Sequence, residues 1–399
     1  MNPYQLLVVG AGIVGLATAR EAARRHPGWR IAVVEAEGQI APHQSSHNSG
    51  VIHSGIYYRT GSAKAVLSVR GGKLLRRYCA DKGIAFQDCG KVIVAAEAAE
   101  IPRLERLMEQ GRANGIEGLR MIEASELKEI EPHCRGLKAI FSPTTGIVDY
   151  QEVASSLAEE LRAQGHDLKL GRRVERIESE AGRCRVLTAA GELQAEMVVA
   201  CAGVQADRLA RRSKVPTDLQ ILPFRGDYWR LKANARELCR NLIYPVPDPH
   251  FPFLGVHATR RIQTNEVWLG PNAVPALSRT GYGRLAFSLT DALALGASPG
   301  FRRLAASYWK TGGVELWRDW SRRAFVASVR RYLPEVGPDD VEPGPSGIRA
   351  QPIARDGSLI DDFVILNSGR QVHVLSAPSP AATSSLAIAE EIVARLPAV

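Results

Sequence analysis

QLLVVGAGIVGLATAREAARRHPGWRIAVVE, residues 5–35, is the stretch on which the fold turns. Gln5–Val9 is a short β-rich run, and Gly10-Ala11-Gly12-Ile13-Val14-Gly15 follows without a break. Ile13–His26 reads as a helix, alanine-rich on one face and arginine-rich toward its end, and Pro27-Gly28 stops it. Arg30–Val34 is a second strand, ending at Glu35. Strand, glycine turn, helix and strand form the context in which G-x-G-x-x-G reads as a dinucleotide fingerprint. Gly10 permits the tight turn, Gly12 lets backbone N–H groups approach a pyrophosphate, and Gly15 lets helix and strand pack closely. The phosphates sit at the positive helix N-terminus. Glu35, twenty residues past Gly15, is placed to accept hydrogen bonds from a ribose diol. Gly10, Ala11, Gly12, Ile13, Val14, Gly15 and Glu35 are therefore cofactor-binding candidates.

The chain continues with a long polar segment, 36–61, that carries HQSSHNSGVIHSG at His43–Gly55. A loop of this length inside an α/β domain is usually functional. Helices are expected at Ala63–Lys82, Ala98–Asn114 and Gln151–Gln164, with a strand at Val92–Ala95, a hairpin at Val174–Ser179 and Cys184–Ala189, and a buried strand at Met197–Ala200. From Pro223 the texture changes to strands with polar turns: Phe224–Leu231, Gly255–Arg261 and Val267–Gly270. Helices are expected at Gly283–Leu295 and Phe301–Tyr332, then strands at Gly347–Ile353, Phe363–Leu366 and Val372–Leu375, and a last helix at Thr383–Arg395. The nucleotide-binding texture thus returns late. The expected architecture is α/β: a discontinuous Rossmann-like domain (1–90, 146–215 and 340–399) with an inserted α+β substrate domain (91–145 and 216–339) on a mostly antiparallel sheet.

Composition narrows the function classes. With 399 residues, 45% hydrophobic and 23% charged, the chain is in the globular range, and disorder or a fibrous repeat is excluded. Six cysteines are scattered without a C-x-x-C pair, so no metal site is expected. Neither a signal peptide nor a membrane helix is expected, and the cytoplasm or the inner face of its membrane is the expected location. The net charge is +9, and 41 of the 51 basic residues are arginine. No basic recognition helix or aromatic–basic sheet matches a nucleic-acid module, so nucleic acid is not an expected partner.

The fingerprint alone does not separate NAD from FAD. Two observations favour FAD: the motif lies near the start of a chain whose last 50 residues return to strand, turn and helix, and no second fingerprint is present for a nicotinamide. HQSSHNSGVIHSGIYY (His43–Tyr58) resembles the signature loop of the L-2-hydroxyglutarate dehydrogenase/oxidase family, within the D-amino-acid oxidase-like FAD superfamily. GVHATR (Gly255–Arg260), VWLGPNA (Val267–Ala273), RAFVASVRRYLPEV (Arg323–Val336), GIRAQ (Gly347–Gln351), DDFVI (Asp361–Ile365) and SAPSPAATSSLAI (Ser376–Ile388) match the same family in order.

The resemblance implies FAD-dependent oxidation of the C2 hydroxyl of (S)-2-hydroxyglutarate, or a related 2-hydroxy dicarboxylate, to the 2-oxo acid. Hydride leaves C2 while a base takes the hydroxyl proton, and an imidazole with a pKa near ~6.5 suits that role. His53 and His257 are the candidates. The carboxylates call for cations, and guanidinium forks suit them, so Arg225, Arg260 and Arg349 are substrate-binding candidates along with Tyr58. Further cofactor contacts are expected at Gln44, Ser46, His47, Asn48, Ser49, Gly50, Val51, Val174, Ala202, Gly203, Pro380, Ala381, Ala382, Thr383 and Ser384. His47-x-x-Gly50 also resembles the histidine that carries covalent FAD in dimethylglycine-type dehydrogenases, but the hydroxyglutarate family is expected to bind FAD non-covalently. No cysteine follows Cys239 to form a C-terminal cysteinyl link. The alternative within the superfamily is an amino-acid oxidase or dehydrogenase of the glycine/sarcosine oxidase type, and oxygen or a membrane quinone is the expected electron acceptor.

One segment bears on that acceptor. Between Gly300 and Arg331 eight basic residues stand against two acidic ones, together with Trp309, Trp317 and Trp320. Basic helices with tryptophan suit peripheral attachment to an anionic membrane. The competing expectation is that the rings pack on the substrate domain and only the arginines meet solvent.

Overall fold

The structure is a computed structural model that describes residues 3–180, 182–248 and 254–397. Tyr4–Val9 lies inside an eight-stranded sheet, between the parallel strands Ile31–Val34 and Gly191–Ala200. It is buried on both faces, as a parallel strand covered on each side must be. Leu6 and Val8 join the helical core, while Leu7 and Val9 pack toward Ile177, Val186 and Leu209. Asp167–Lys169 extends the sheet beyond Ile31–Val34, and Gln371–Ser376 pairs in parallel with Val198–Ala200. Strands from three distant parts of the chain therefore share one sheet, and their C-terminal ends lie together around the glycine turn.

A nine-stranded sheet forms the second layer, antiparallel except where Leu242–Pro245 runs parallel to Lys91–Ala95. Across its middle the order is Gln220–Leu231, Val267–Gly270, His257–Arg260, Leu242–Pro245, Lys91–Ala95 and Lys138–Ser142. One face carries Trp229, Ile243, Ala258 and Leu269 into a core closed by Phe325 and Val329. The other face carries Ile93, Tyr244 and Ala95 toward Val51 and Ile56 of the polar loop. A three-stranded sheet of Val51–Ile52, Gly146–Val148 and Phe86–Gln87 fixes that loop between the layers.

Three expectations need correction. Val341–Ile353 is hydrogen-bonded to Gln220–Leu231 along most of its length, so this strand, assigned by sequence to the nucleotide-binding segments, belongs to the second sheet. The helix expected from Gly283 starts only at Leu289, where the Ser288 hydroxyl accepts the Asp291 N–H and caps it. The expected Phe301–Tyr332 helix is two, Pro299–Trp320 and Arg322–Val329. Ser321 has an extended backbone (φ −104°, ψ 103°) and caps the second through its hydroxyl.

Candidate functional site

The cradle for a dinucleotide is built from backbone. Gly10 has φ +101°, and a Cβ there would overlap the Cys201 carbonyl oxygen. A Cβ on Gly15 would overlap the Gly10 carbonyl, so strand end and helix approach too closely for a side chain. Gly12 is the N-cap of Ile13–Arg25 and supplies no side-chain acceptor, and no acidic residue stands in the first turn. The helix end is thus electropositive. Glu35 is 7% exposed, and its carboxylate accepts the Ala11 N–H at 2.8 Å and the Glu37 N–H at 3.0 Å. A cleft of about 420 Å³ lined by Glu37, Gly38, Gln39, Pro42, His43 and Thr280 opens beyond that strand. Cys201 donates its N–H to the Val9 carbonyl at 2.8 Å, which sets Ala202 and Gly203 beside the turn. Val174 lies at the start of its hairpin strand, packed against the same layer.

The His43–Gly55 loop closes over this cradle. Ser45, which the motif reading did not single out, accepts the Ile13 N–H at 2.9 Å and is the side chain at the helix N-terminus. Ser46 instead turns inward, donating to the Ala41 carbonyl at 2.7 Å. Gln44 approaches Gly203, and Asn48 braces the loop by accepting the Gly50 N–H while donating to the Ser45 carbonyl. His47 donates through Nδ1 to the Ser346 carbonyl at 3.0 Å and stacks on Tyr282 with centroids 3.8 Å apart. Ser49 follows in the same loop, and Val51 starts the short strand. Thr383, in the first turn of Ala381–Val393, accepts the His53 N–H at 3.1 Å and shares a hydrogen bond with the Tyr150 hydroxyl at 2.8 Å. Pro380 is the N-cap of that helix, Ala381, Ala382 and Ser384 occupy its first turn, and a Cβ on Gly71 would sit 2.6 Å from the Ser384 Cα.

Above the loop, the second sheet presents a distinct set of side chains. Pairing of Ile243 with Ala258 sets Tyr244 beside His257, and their rings stack with centroids 4.1 Å apart. His257 donates through Nδ1 to the Gly255 carbonyl at 2.8 Å, because a carbonyl can only accept. That assignment leaves the lone pair on Nε2. Lys91, absent from the sequence-based candidates, is 1% exposed, with Nζ 4.5 Å from the Tyr57 ring centroid and 4.9 Å from that of Tyr244. Burial pushes its pKa down to about 7, and no carboxylate among the described residues opposes the shift. Burial, then the charge of Lys91, pushes His53 down to about 3. Burial, with the charges of Arg349 and Lys91, takes His257 to about 3 as well. Both imidazoles are therefore neutral near pH 7, well below the ordinary value expected from sequence. The phenols of Tyr57 and Tyr244 are buried without a hydrogen-bond partner among the described residues.

The candidate cations divide. Arg349 is on the strand that crosses the site, its guanidinium pKa lowered by burial and its charge felt at His257. Arg225 is a correction: its guanidinium is committed to Asp227 at 3.0 Å, Asp319 at 2.7 Å and the Arg284 carbonyl at 3.0 Å, and it ties the Pro299–Trp320 helix to the sheet. Arg260 is also a correction, since period-two alternation turns it away from His257 and it donates to Asn265 and to the Arg240 carbonyl. Its neighbour Arg261 faces the loop, donating to the Asn48 carbonyl at 3.0 Å with its guanidinium 4.3 Å from the Trp268 ring centroid. Tyr58 borders the same region, 5.4 Å from Lys64 Nζ and hydrogen-bonded to Ser379.

A glycine turn at a helix N-terminus, a terminal carboxylate and a second sheet with two buried imidazoles are the parts of a dinucleotide-binding enzyme. A family model described as FAD dependent oxidoreductase matches residues 5–395. The chain is 43% identical over 386 residues to the L-2-hydroxyglutarate dehydrogenase of Indibacter alkaliphilus, covering 96% of each. It is 45% identical over 405 residues to the mitochondrial L-2-hydroxyglutarate dehydrogenase of Homo sapiens, covering 97% of this chain and 87% of that one. The chain belongs to the L-2-hydroxyglutarate dehydrogenase family. Among solved structures it superposes on the FAD-bound L-alpha-glycerophosphate oxidase of Mycoplasma pneumoniae with a TM-score of 0.80 at 21% identity, over 98% of this chain and 94% of that one. The glycine oxidase of Geobacillus kaustophilus gives 0.74 at 19%, over 100% and 96%. At such identities these two likenesses establish the fold.

FAD is the cofactor, and the cradle fits it: glycines where a Cβ would collide, a positive helix end without an acidic residue in its first turn, and Glu35 beyond the second strand. We expect acid precipitation to release the yellow chromophore into the supernatant. Colour retained in the pellet would contradict non-covalent binding and point to His47.

Proposed function

We propose that the protein oxidises the C2 hydroxyl of (S)-2-hydroxyglutarate, or a closely related 2-hydroxy dicarboxylate, to the 2-oxo acid. The observation that carries this reading is His257, whose Nδ1 is bound to the Gly255 carbonyl and whose ring stacks on Tyr244 on a buried face, with the charge of Arg349 close by. FAD supplies the acceptor for the two electrons that leave C2 as hydride. His257 Nε2 takes the hydroxyl proton as the carbonyl forms, and Nδ1 stays locked on Gly255, which fixes the ring plane. Burial is the main cause of the ring's pKa of about 3, and a substrate carboxylate beside Arg349 offsets only the smaller contribution of the neighbouring cations. Arg349 orients the C1 carboxylate through paired N–H donors, and Tyr57 and Tyr244 offer phenols to the same ligand. His53 is buried as well and close enough to His257 and Lys91 to feel their charges.

A panel tests the substrate. Anaerobic flavin reduction should be fastest with (S)-2-hydroxyglutarate among hydroxy acids, glycine, sarcosine and D-amino acids. Faster reduction by an amino acid would replace this reading with an amine oxidation.

The Pro299–Trp320 helix supports a membrane as the place where electrons leave. Trp309, Trp317 and Trp320 are 67%, 65% and 62% exposed, so the rings do not pack on the substrate domain, whereas Phe325 enters the core and Phe301 packs against a smaller apolar cluster. Leu316 lies among them, and Phe287, Leu289 and Leu293 are also exposed nearby in the chain. Arginines flank this apolar surface, which suits an anionic headgroup layer with quinone as acceptor. No helix among the described residues is long and apolar enough to cross a membrane. The protein should co-sediment with anionic liposomes at low salt and less with neutral ones. Equal, negligible binding to both would contradict peripheral attachment.

A further inference from the structure

Lys91 is the buried charge that the mechanism above leaves unused. It begins the Lys91–Ala95 strand, two strands from His257 in the second sheet, whereas Arg349 lies on the other side of the His257–Arg260 strand. The base therefore stands between two cations that approach from opposite edges of one face. The neighbours of Lys91 Nζ are the ring faces of Tyr57 and Tyr244, which attract a cation but carry no charge. A buried ammonium without a counter-charge is costly to maintain, and an anion that enters the site relieves that cost.

We propose that Lys91 recognises the second carboxylate of the substrate and so sets the preference for 2-hydroxy dicarboxylates over monocarboxylates. The proposal rests on the reading given above for the substrate. With one carboxylate on Arg349 and the hydroxyl against His257, the remaining carboxylate of a five-carbon acid extends toward the opposite side. Two strand spacings separate the backbones by roughly 10 Å, and the long lysine chain reaches back across part of that gap. The ammonium is a compact point charge with three rotatable donors, which suits a flexible terminal carboxylate better than a fixed fork does.

The test uses oxidised holoenzyme and two ligands that cannot react, glutarate and butyrate, with binding read from the perturbation of the flavin spectrum. The wild type should prefer glutarate. Lys91→Met keeps the side-chain length without the charge, and it should weaken glutarate by about 10- to 100-fold, the range for a hydrogen bond to a charged group. Butyrate affinity and flavin content should stay at wild-type levels, and Lys91→Arg should recover part of the preference. A glutarate preference that survives Lys91→Met would overturn the role of Lys91 alone. Equal loss of both ligands would also overturn it, assigning the residue a packing role. A wild type with no glutarate preference would overturn the dicarboxylate reading itself.

Discussion

His257→Ala is expected to slow anaerobic flavin reduction at saturating substrate by about 10²-fold or more, the usual contribution of a general base, while FAD stays bound. The expectation follows from one hydrogen bond. Nδ1 is committed to the Gly255 carbonyl, so the proton acceptor faces the site at Nε2. His53 is held differently: its backbone N–H is tied to Thr383, and its ring has no comparable anchor among the described contacts. His53→Ala should therefore slow reduction less than His257→Ala does. Stopped-flow reduction of both variants, with flavin content measured alongside, separates the roles. Wild-type rates in His257→Ala would remove it as the base, and a larger loss in His53→Ala would transfer the role.

Gly10→Ala is expected to give protein with little or no bound FAD. The residue sits at φ +101°, and the added Cβ would overlap the Cys201 carbonyl oxygen, itself positioned by the Cys201–Val9 hydrogen bond. A non-glycine residue in such a backbone region costs roughly 1–3 kcal/mol, and the overlap adds to it because neither strand end has room to yield. The relief available is to open the turn that cradles the pyrophosphate. Gly28→Ala is the control, since a Cβ there meets nothing within 4 Å. Flavin absorbance per chain and the thermal midpoint should fall for the first and hold for the second. Full flavin content and an unchanged midpoint in Gly10→Ala would contradict the cradle.

What was legible in the sequence was local. The glycine turn, its helix and Glu35 are close in the chain, and period and spacing specify them without reference to anything distant. The signature loop was legible as a unit, although Ser45 within it was passed over and only the fold shows its oxygen at the helix N-terminus. The cations were harder because an arginine is assigned by its partners. Arg225 meets Asp319, 94 residues away, and no sequence pattern announces that pairing. Arg261 carried a usable signal: alternation along His257–Arg261 puts it on the His257 face and turns Arg260 off it. Lys91 carried almost none, since a lysine before an apolar run ordinarily reads as a solvated strand end. Its burial depends on the parallel pairing of its strand with Leu242–Pro245, which brings Tyr244 alongside. The membership of Val341–Ile353 in the second sheet is likewise a matter of long-range pairing, which no local pattern carries.

On the proposed mechanism C2 of a 2-hydroxy dicarboxylate gives its hydride to FAD while its hydroxyl loses a proton. A single anaerobic turnover tests it most directly, with one equivalent of (S)-2-hydroxyglutarate or its (R) enantiomer mixed with oxidised holoenzyme and the product quantified. The expected result is rapid bleaching by the (S) acid alone, with one 2-oxoglutarate formed per flavin reduced. A flavin left oxidised by the (S) acid, or bleached without 2-oxoglutarate appearing, would contradict it.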